Sequence, residues 1–511
     1  MRLSLLFILV FNLLFLVDGF SQDIVLSTQA EVNSFDQTII NLSGNLTIDT
    51  DFSANDLINN LSNLSNLESI SGNLDIHSNQ ALVNLNGLNN LSSIGGFLEI
   101  KVNHALTNID GLANLNSVDG HLDIYFNNVI ENIDGLANLI SIGDYINIGG
   151  NDSLININGL INLTSVQGNL SISDNNALTD IDGLSNLNSI EGSLMLEFNN
   201  SLTNINGFAN LTAIPGNLTL TSNANLSNID GLSNLTFVGD NFILRKHDAL
   251  TNVDALNNLT TIVGALTIDK NDGLTNIDGF ENLSFIGKYL ELEKNSVLTN
   301  MEGFIGLNKI NEYLVIKNNA ALVNTNGFSN IDSIGEYLLI ESNYSLPDVD
   351  GFSSLSAIGT DLTILNNAVL TNVDGFSNLN SISSTLRIEY NDILPNLDGF
   401  ANLSIVSNIR IRRNDALTKI DEFTNLNNIQ GYLMIEYNDA LTTIDGFINL
   451  TSIGGYFYIS YNYDLTSFNG FINLESIEGF LELRNNSTLP NLEGLANLAF
   501  VGETVSINNN W

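Results

Sequence analysis

Apolar residues recur along this chain with two spacings that alternate inside a fixed period. The segment that starts at Leu122, LDIYFNNVIENIDGLANLISIGDY, reads L-x-I-x-x-N-x-x-I-x-x-I-D-G-L-x-N-L-x-S-I-G-x-x. Taking Leu122 as an index position, the same position recurs from Leu46, Leu74 and Leu98 through to Leu481 and Val505, twenty times, and is apolar every time. The step is 24 residues except for 28 after Leu46 and 23 after Leu386. Two residues past the index stands Ile or Leu in every unit. The L-x-I alternation predicts a short strand with one buried face. The spacing of three in Leu136-x-x-Leu139-x-x-Ile142 predicts a helical or 3₁₀ turn, or a bent strand, on the far side of the same coil. A strand so short cannot stand alone. Stacked coils place strand on strand and share one core, so the pattern predicts a mainly β, parallel β-solenoid of about 20 coils of ~24 residues.

Polar positions repeat as faithfully. Asn stands five past the index in eighteen of the twenty coils, as at Asn79, Asn103 and Asn127. A polar residue held between apolar ones is expected to form an internal amide ladder from coil to coil, because unmade bonds inside would cost about 1–3 kcal/mol each. A surface Asn array for a ligand is the alternative. Twelve and thirteen past the index stands Asp-Gly or Asn-Gly, as in Asp110-Gly111, Asp278-Gly279 and Asn326-Gly327. Here Gly is expected to supply a positive φ at a tight corner, with the Asx residue capping the turn. Residues 22–45 break the pattern and are expected to form an N-terminal cap, with the repeat solenoid at 46–511. The last coil stops at Trp511, directly after a strand, so either Trp511 covers the final layer or the protein continues.

Residues 1–21 carry Arg2, then an almost wholly apolar run from Leu3 to Val17, then Gly19-Phe20-Ser21. This order predicts a secretory signal peptide at 1–21. The expected location is extracellular or at the cell surface, with the periplasm left open. No later segment approaches ~20 consecutive apolar residues, so no membrane insertion is expected after removal of the leader.

Composition narrows the function classes. The chain has 15 Lys+Arg against 56 Asp+Glu, for a formal net charge of −41. Such a field repels nucleic acid, which is therefore not an expected partner. There is no Cys, which excludes disulfides, thiolate metal sites and a cysteine nucleophile. The four His fall at unrelated repeat positions, and no HExxH or phosphate-binding glycine loop occurs. An enzyme is not expected, and no cofactor is implied. The carboxylates twelve past the index leave two readings open, turn capping and Ca²⁺ binding.

The unit L-x-I-x-x-N-x-x-L-x-x-I-x-G-L-x-N-L-x-x-I-x-G resembles the receptor L domain family, which is related in style to leucine-rich repeats. That family includes the ligand-binding lobes of insulin and epidermal growth factor receptors and longer arrays on bacterial surface proteins. The resemblance covers residues 46–511. It implies a right-handed solenoid and a role in binding, without naming a ligand.

What varies between coils marks the candidate surface. The positions one, three and four past the index are expected to face outward from the strands. They hold eleven of the fourteen basic residues beyond the leader, among them Arg245, Lys246, Lys270, Lys294, Lys317, Arg387, Arg410, Arg412 and Arg413. The same positions carry Tyr390, Tyr437, Tyr458 and Tyr461. Exposed Arg and aromatic residues are common binding anchors, so this face is expected to take a protein or an acidic glycan. The opposing reading is that Glu293, Lys317 and Glu341, and again Glu389, Arg412 and Glu436, are cross-coil ion pairs that relieve repulsion. Two coils break the rules. In the coil starting at Phe242, His247 replaces the ladder Asn and Ala255 the turn Gly; the coil starting at Leu386 is one residue short. Both lie beside basic clusters, which places His247 in the candidate set, with drift as the plainer explanation. A structural spacer, stabilised by Ca²⁺ and lacking a dedicated ligand, is the alternative function.

Overall fold

The computed structural model describes residues 22–50 and 55–510. The leader expected at 1–21 and the terminal Trp511 lie outside the described residues. The chain divides into two compact units. One is Met1–Leu202 with Asn206–Asn210, and the other is Thr203–Ile205 with Leu211–Trp511.

In the first unit the index strands run from Leu46–Asp49 to Leu194–Glu197 and pair in parallel. Leu46 sits opposite Leu74, and Leu74 opposite Leu98. The index residue and the one two past it are fully buried in each of these coils. Two-residue strands such as Ser117–Val118 and Ser141–Ile142 form a second parallel ladder. Between the two ladders lie 3₁₀ turns such as Asp110–Leu112 and Asp134–Leu136, where the apolar spacing is three. The chain enters through strand Ile24–Leu26, which pairs with Leu46–Ile48. Helix Gln29–Asn33 follows, closed by a capping box between Thr28 and Glu31, with Val32 fully buried.

The second unit repeats the plan from Leu218–Thr221 to Val505–Asn508. Its inner corner is filled by phenylalanine. Phe280, Phe304, Phe328, Phe352, Phe376 and Phe400 are wholly buried and stack ring on ring at 5.5–5.7 Å. The short coil is absorbed at a corner. Strands Ser381–Glu389 and Ile405–Arg412 pair directly, with a register shift between Ile382 and Thr385. The missing residue therefore falls before Ile409 and leaves the basic positions after it in register.

The internal amide ladder forms as expected. Asn319 shows the pattern: its N–H donates to Asn343 Oδ1 at 3.1 Å, and its Nδ2 donates to the Leu292 carbonyl at 2.9 Å. Its own Oδ1 accepts from the Asn295 N–H at 3.0 Å. Asn319 is fully buried. A second Asn ladder runs along the turn edge, at the N of G-L-x-N-L. Asn138 Nδ2 donates to the Ala113 carbonyl and Asn162 Nδ2 to the Ala137 carbonyl, both at 2.7 Å.

Two expectations about the corners are corrected. Among the described glycines only Gly87 and Gly150 have positive φ. Gly87, in the coil starting at Leu74, meets the expectation, but in the other coils the Gly thirteen past the index is not there for a left-handed bend. It is there because coils approach too closely for a side chain: a Cβ on Gly327 would lie 1.6 Å from the Met301 carbonyl oxygen. Nor does the Asp beside it cap the turn. The Asp110 N–H is bonded instead by Asn108 Oδ1 at 3.3 Å. The left-handed residue is the one four past the index, with φ of 58° at Lys246 and 56° at Lys270 and Tyr390. This twist ends the strand, turns the next residue inward to the Asn ladder, and costs about 1–2 kcal/mol in a non-glycine residue.

Asn319→Ala is expected to strand the Leu292 carbonyl and the Asn295 N–H, with a local loss of about 2–4 kcal/mol. Hydrogen exchange checks this. Protection at Asn295 and the neighbouring strand amides should fall while distant coils are unaffected; unchanged protection there would refute the ladder's energetic role.

Candidate functional site

The strand face of the second unit is built from positions that lie outside the coil's apolar core. The residues one and three past the index point away from the core by strand alternation. The residue four past the index is thrown outward by its left-handed backbone. Each such position lies one inter-strand spacing, ~4.8 Å, from its counterpart in the next coil.

Most of the expected basic residues on this face are already paired. Arg245 Nε lies 2.9 Å from Asp269, and Lys317 Nζ lies 3.0 Å from Glu341. Lys294 pairs with Glu293 beside it. Glu389 is almost fully buried and is held by Arg387 at 2.7 Å and Arg410 at 2.9 Å. Arg410 also reaches Glu436 at 3.7 Å, and Arg412 does so at 3.1 Å. The cross-coil reading thus accounts for Arg245, Lys317, Arg410 and Arg412, whereas Arg387 and Lys294 pair within their own coils. Lys246 and Lys270 are exposed, and among the described residues no carboxylate forms an ion pair with either.

Aromatic rings organise the rest. Arg413 is exposed, with its guanidinium 5.6 Å from the Tyr390 ring centroid and 4.9 Å from that of Tyr437. Tyr437 stacks on Tyr461 at 4.4 Å and 5°. Tyr390, Arg413, Tyr437 and Tyr461 therefore form one outward column, each four past its index. Tyr458, one past its index, stands half-buried beside this column, and burial raises its phenol pKa.

His247 is a correction. It is expected on the ligand face, but among the described residues the one five past the index points inward, and His247 is fully buried. Its N–H donates to Asn271 Oδ1 at 3.1 Å, its Nδ1 lies 3.2 Å from the Asn223 carbonyl, and its Nε2 has no partner among the described residues. Burial lowers its pKa, against smaller opposing effects of the Asn223 and Leu220 carbonyls and of Asp248. Ala255, its irregular companion, sits in a 3₁₀ segment lengthened to Asp254–Asn258.

Other features escaped the sequence reading. The residue before the index forms stacked aromatic runs, Phe97–His121–Tyr145 and Tyr289–Tyr313–Tyr337, at 4.4–4.7 Å. Their signal was the recurrence of rings at the repeat period. Glu422 takes the place of a turn Gly and is buried; burial and the adjacent Asp421 push its pKa up to about 8. Among the described residues, Asp398, Asp421 and Glu422 are the one group of three acids close enough to share a metal. Lys419 already lies 2.9 Å from Asp421 and 3.7 Å from Asp398. Among the described residues no helix is long and apolar enough to cross a membrane.

These observations define a parallel β-solenoid repeat protein that displays one patterned strand face. No family model and no curated protein matches the chain. Among solved structures it is similar to an internalin from Listeria monocytogenes, with 18% identity, TM-score 0.35, and coverage of 68% of this chain and 87% of that one. It is also similar to TLR13 in a complex with ssRNA13 (14% identity, TM-score 0.27, 91% and 87% covered). A leucine-rich repeat protein from Bacteroides ovatus gives 13% identity and TM-score 0.16, over 86% and 87%.

Two outcomes follow from the buried groups. The unfolded His247 binds a proton that the folded chain resists, so its contribution to stability is full above the ordinary imidazole value of about 6.5 and is lost as pH falls below it. Denaturant midpoints at successive pH values should show a smaller loss between about pH 6.5 and 5.5 in His247→Asn than in wild type; equal losses would refute this. Arg410→Met should destabilise the chain by about 1–3 kcal/mol by removing a partner of buried Glu389, whereas Arg413→Ser should change stability little. Thermal unfolding of the two variants distinguishes them.

Proposed function

We propose that this chain is a secreted or cell-surface, non-catalytic binding and adhesion protein whose strand face in the second unit recognises an anionic ligand, an acidic glycan or an acidic segment of a protein. The observation that carries this reading is the outward column of Tyr390, Arg413, Tyr437 and Tyr461, of which Tyr390 and Arg413 are exposed and the other two half-buried. Arg413 lies between two tyrosine rings at 5.6 and 4.9 Å and forms no ion pair among the described residues. Lys246 and Lys270 support it, since they keep exposed positive charge in a chain of net charge −41. Rings offer a flat apolar surface to a sugar, and the guanidinium offers a fork to its carboxylate or sulfate. Membership of the receptor L domain family is part of the same proposal and rests on the repeated L-x-I-x-x-N coil.

The spacer alternative is favoured by the pairing of Arg387, Arg410 and Arg412 with Glu389 and Glu436, which makes that part of the face self-satisfied. Calcium-dependent self-association in scattering would support it.

Acidic-glycan arrays and pull-downs decide between the two. Against wild type, a Lys246/Lys270/Lys294→Glu variant and Arg413→Ser should each lose about tenfold or more in affinity for the bound anionic ligand. Identical profiles for all three proteins would overturn the binding reading.

A further inference from the structure

The strand face of the first unit carries a feature of opposite character. In the coil starting at Ile146, the positions three and four past the index are Gly149 and Gly150. The same positions hold Tyr125 and Phe126 one coil earlier, and Ser173 and Asp174 one coil later. The two rings lie over the glycine pair. A Cβ on Gly149 would come within 2.4 Å of Tyr125 Cε2, and one on Gly150 within 2.4 Å of Phe126 Cδ1. The rings are tilted 58° to each other with centroids 4.1 Å apart, and Phe126 still exposes 46% of its surface. The result is a hollow of about 330 Å³ walled by Tyr125, Phe126, Asn128, Asp152 and Asp174.

Its polar wall offers acceptors. The Asp152 carboxylate is held from both sides, by Asn128 Nδ2 at 3.2 Å and Asn176 Nδ2 at 3.1 Å, so these amide donors are occupied. The Oδ1 of Asn128 is buried and has no hydrogen-bond partner among the described residues. One cation borders the site: Lys101 is in register with Tyr125 on the preceding strand and is paired with Glu99. From residue 102 to residue 202 there is no Lys or Arg, against twelve Asp and Glu; the titratable cations of that stretch are His104 and His121. His121 is stacked between Phe97 and Tyr145 and lies 3.1 Å from Glu99. Glu197 has its carboxyl pKa raised, by burial first and by Asp174 second.

We propose that this hollow binds an arginine side chain from a basic segment of another protein, with the guanidinium flat on Phe126 and its N–H groups directed to Asp152, Asp174 and Asn128 Oδ1. An aromatic face attracts a cation, and a guanidinium meets it flat while keeping its five donors in plane. A chain strip with acceptors, an orphaned amide oxygen and no unpaired Lys or Arg matches that donor set. A lysine ammonium would satisfy the charge without using the flat platform. The site is separate from the basic face of the second unit, and its test uses different variants.

The full chain, titrated with acetyl-triarginine amide at ~150 mM salt to screen the diffuse field, tests the assignment by calorimetry. Asn is tolerated in the left-handed region, so Phe126→Asn and Asp174→Asn should leave the coil folded. Together they are expected to weaken triarginine binding about tenfold or more. The control Asp110→Asn/Asp134→Asn removes two exposed carboxylates from the turn edge of the same unit. It should leave the affinity within about twofold. Equal losses in both double variants would show a diffuse electrostatic effect and overturn the proposal. So would an absence of wild-type binding, or binding of a neutral oligosaccharide (cellohexaose as probe) that Phe126→Asn abolishes.

Discussion

Among the described ladder positions, all but His247 tie one coil to the next by a buried side-chain amide, and the rest of the structure depends on that tie. The residue five past the index sits inside a tight bend where strand hydrogen bonding has ended. Its backbone N–H, and a carbonyl of the preceding coil, would otherwise be buried without partners. Asn is suited to the task because one short side chain donates and accepts at once. Its Nδ2 reaches back to the preceding coil while its Oδ1 accepts from that coil's ladder residue, as at Asn319 with Leu292 and Asn295. The amides must therefore stay in line, and a fixed period follows. His247 shows the cost of departure: it keeps part of the pattern but leaves one ring nitrogen buried and unpaired.

The same bend makes the display surface. To bring the ladder residue inward, the residue before it adopts a left-handed backbone, which fixes its side chain outward. Strain and display thus share one position. In the second unit that position holds Tyr390, Arg413, Tyr437 and Tyr461, and in the first it holds Phe126, Gly150, Asp174 and Phe198. Neighbours in such a column meet at strand spacing, so ring stacking and cation–ring contact are imposed by the coil. Where one member is Gly, the column opens into a hollow.

The fold was legible because it is written twenty times. Strand position, buried face, 3₁₀ corner and internal amide all follow from which residue types recur at each offset. The corner glycines were misassigned for a physical reason: crowding between coils and a positive φ both demand Gly, and sequence alone does not separate them. The second Asn ladder was hidden by its exposed setting, where an amide looks like ordinary surface. The candidate site was only half legible. Its outward columns could be located, but whether Arg387 or Arg413 is committed to a neighbour depends on where Glu389 lies in the stack.

By itself the sequence determined the period, the parallel stacking of short strands and the inward and outward faces, because apolar and amide positions repeated at one register leave few other arrangements. The tertiary structure decided which charges are spent on each other and which stay available. That outcome turns on distances between side chains two dozen residues apart, where a carboxylate at 3 Å cancels a guanidinium and a ring at 5 Å leaves it open to a partner.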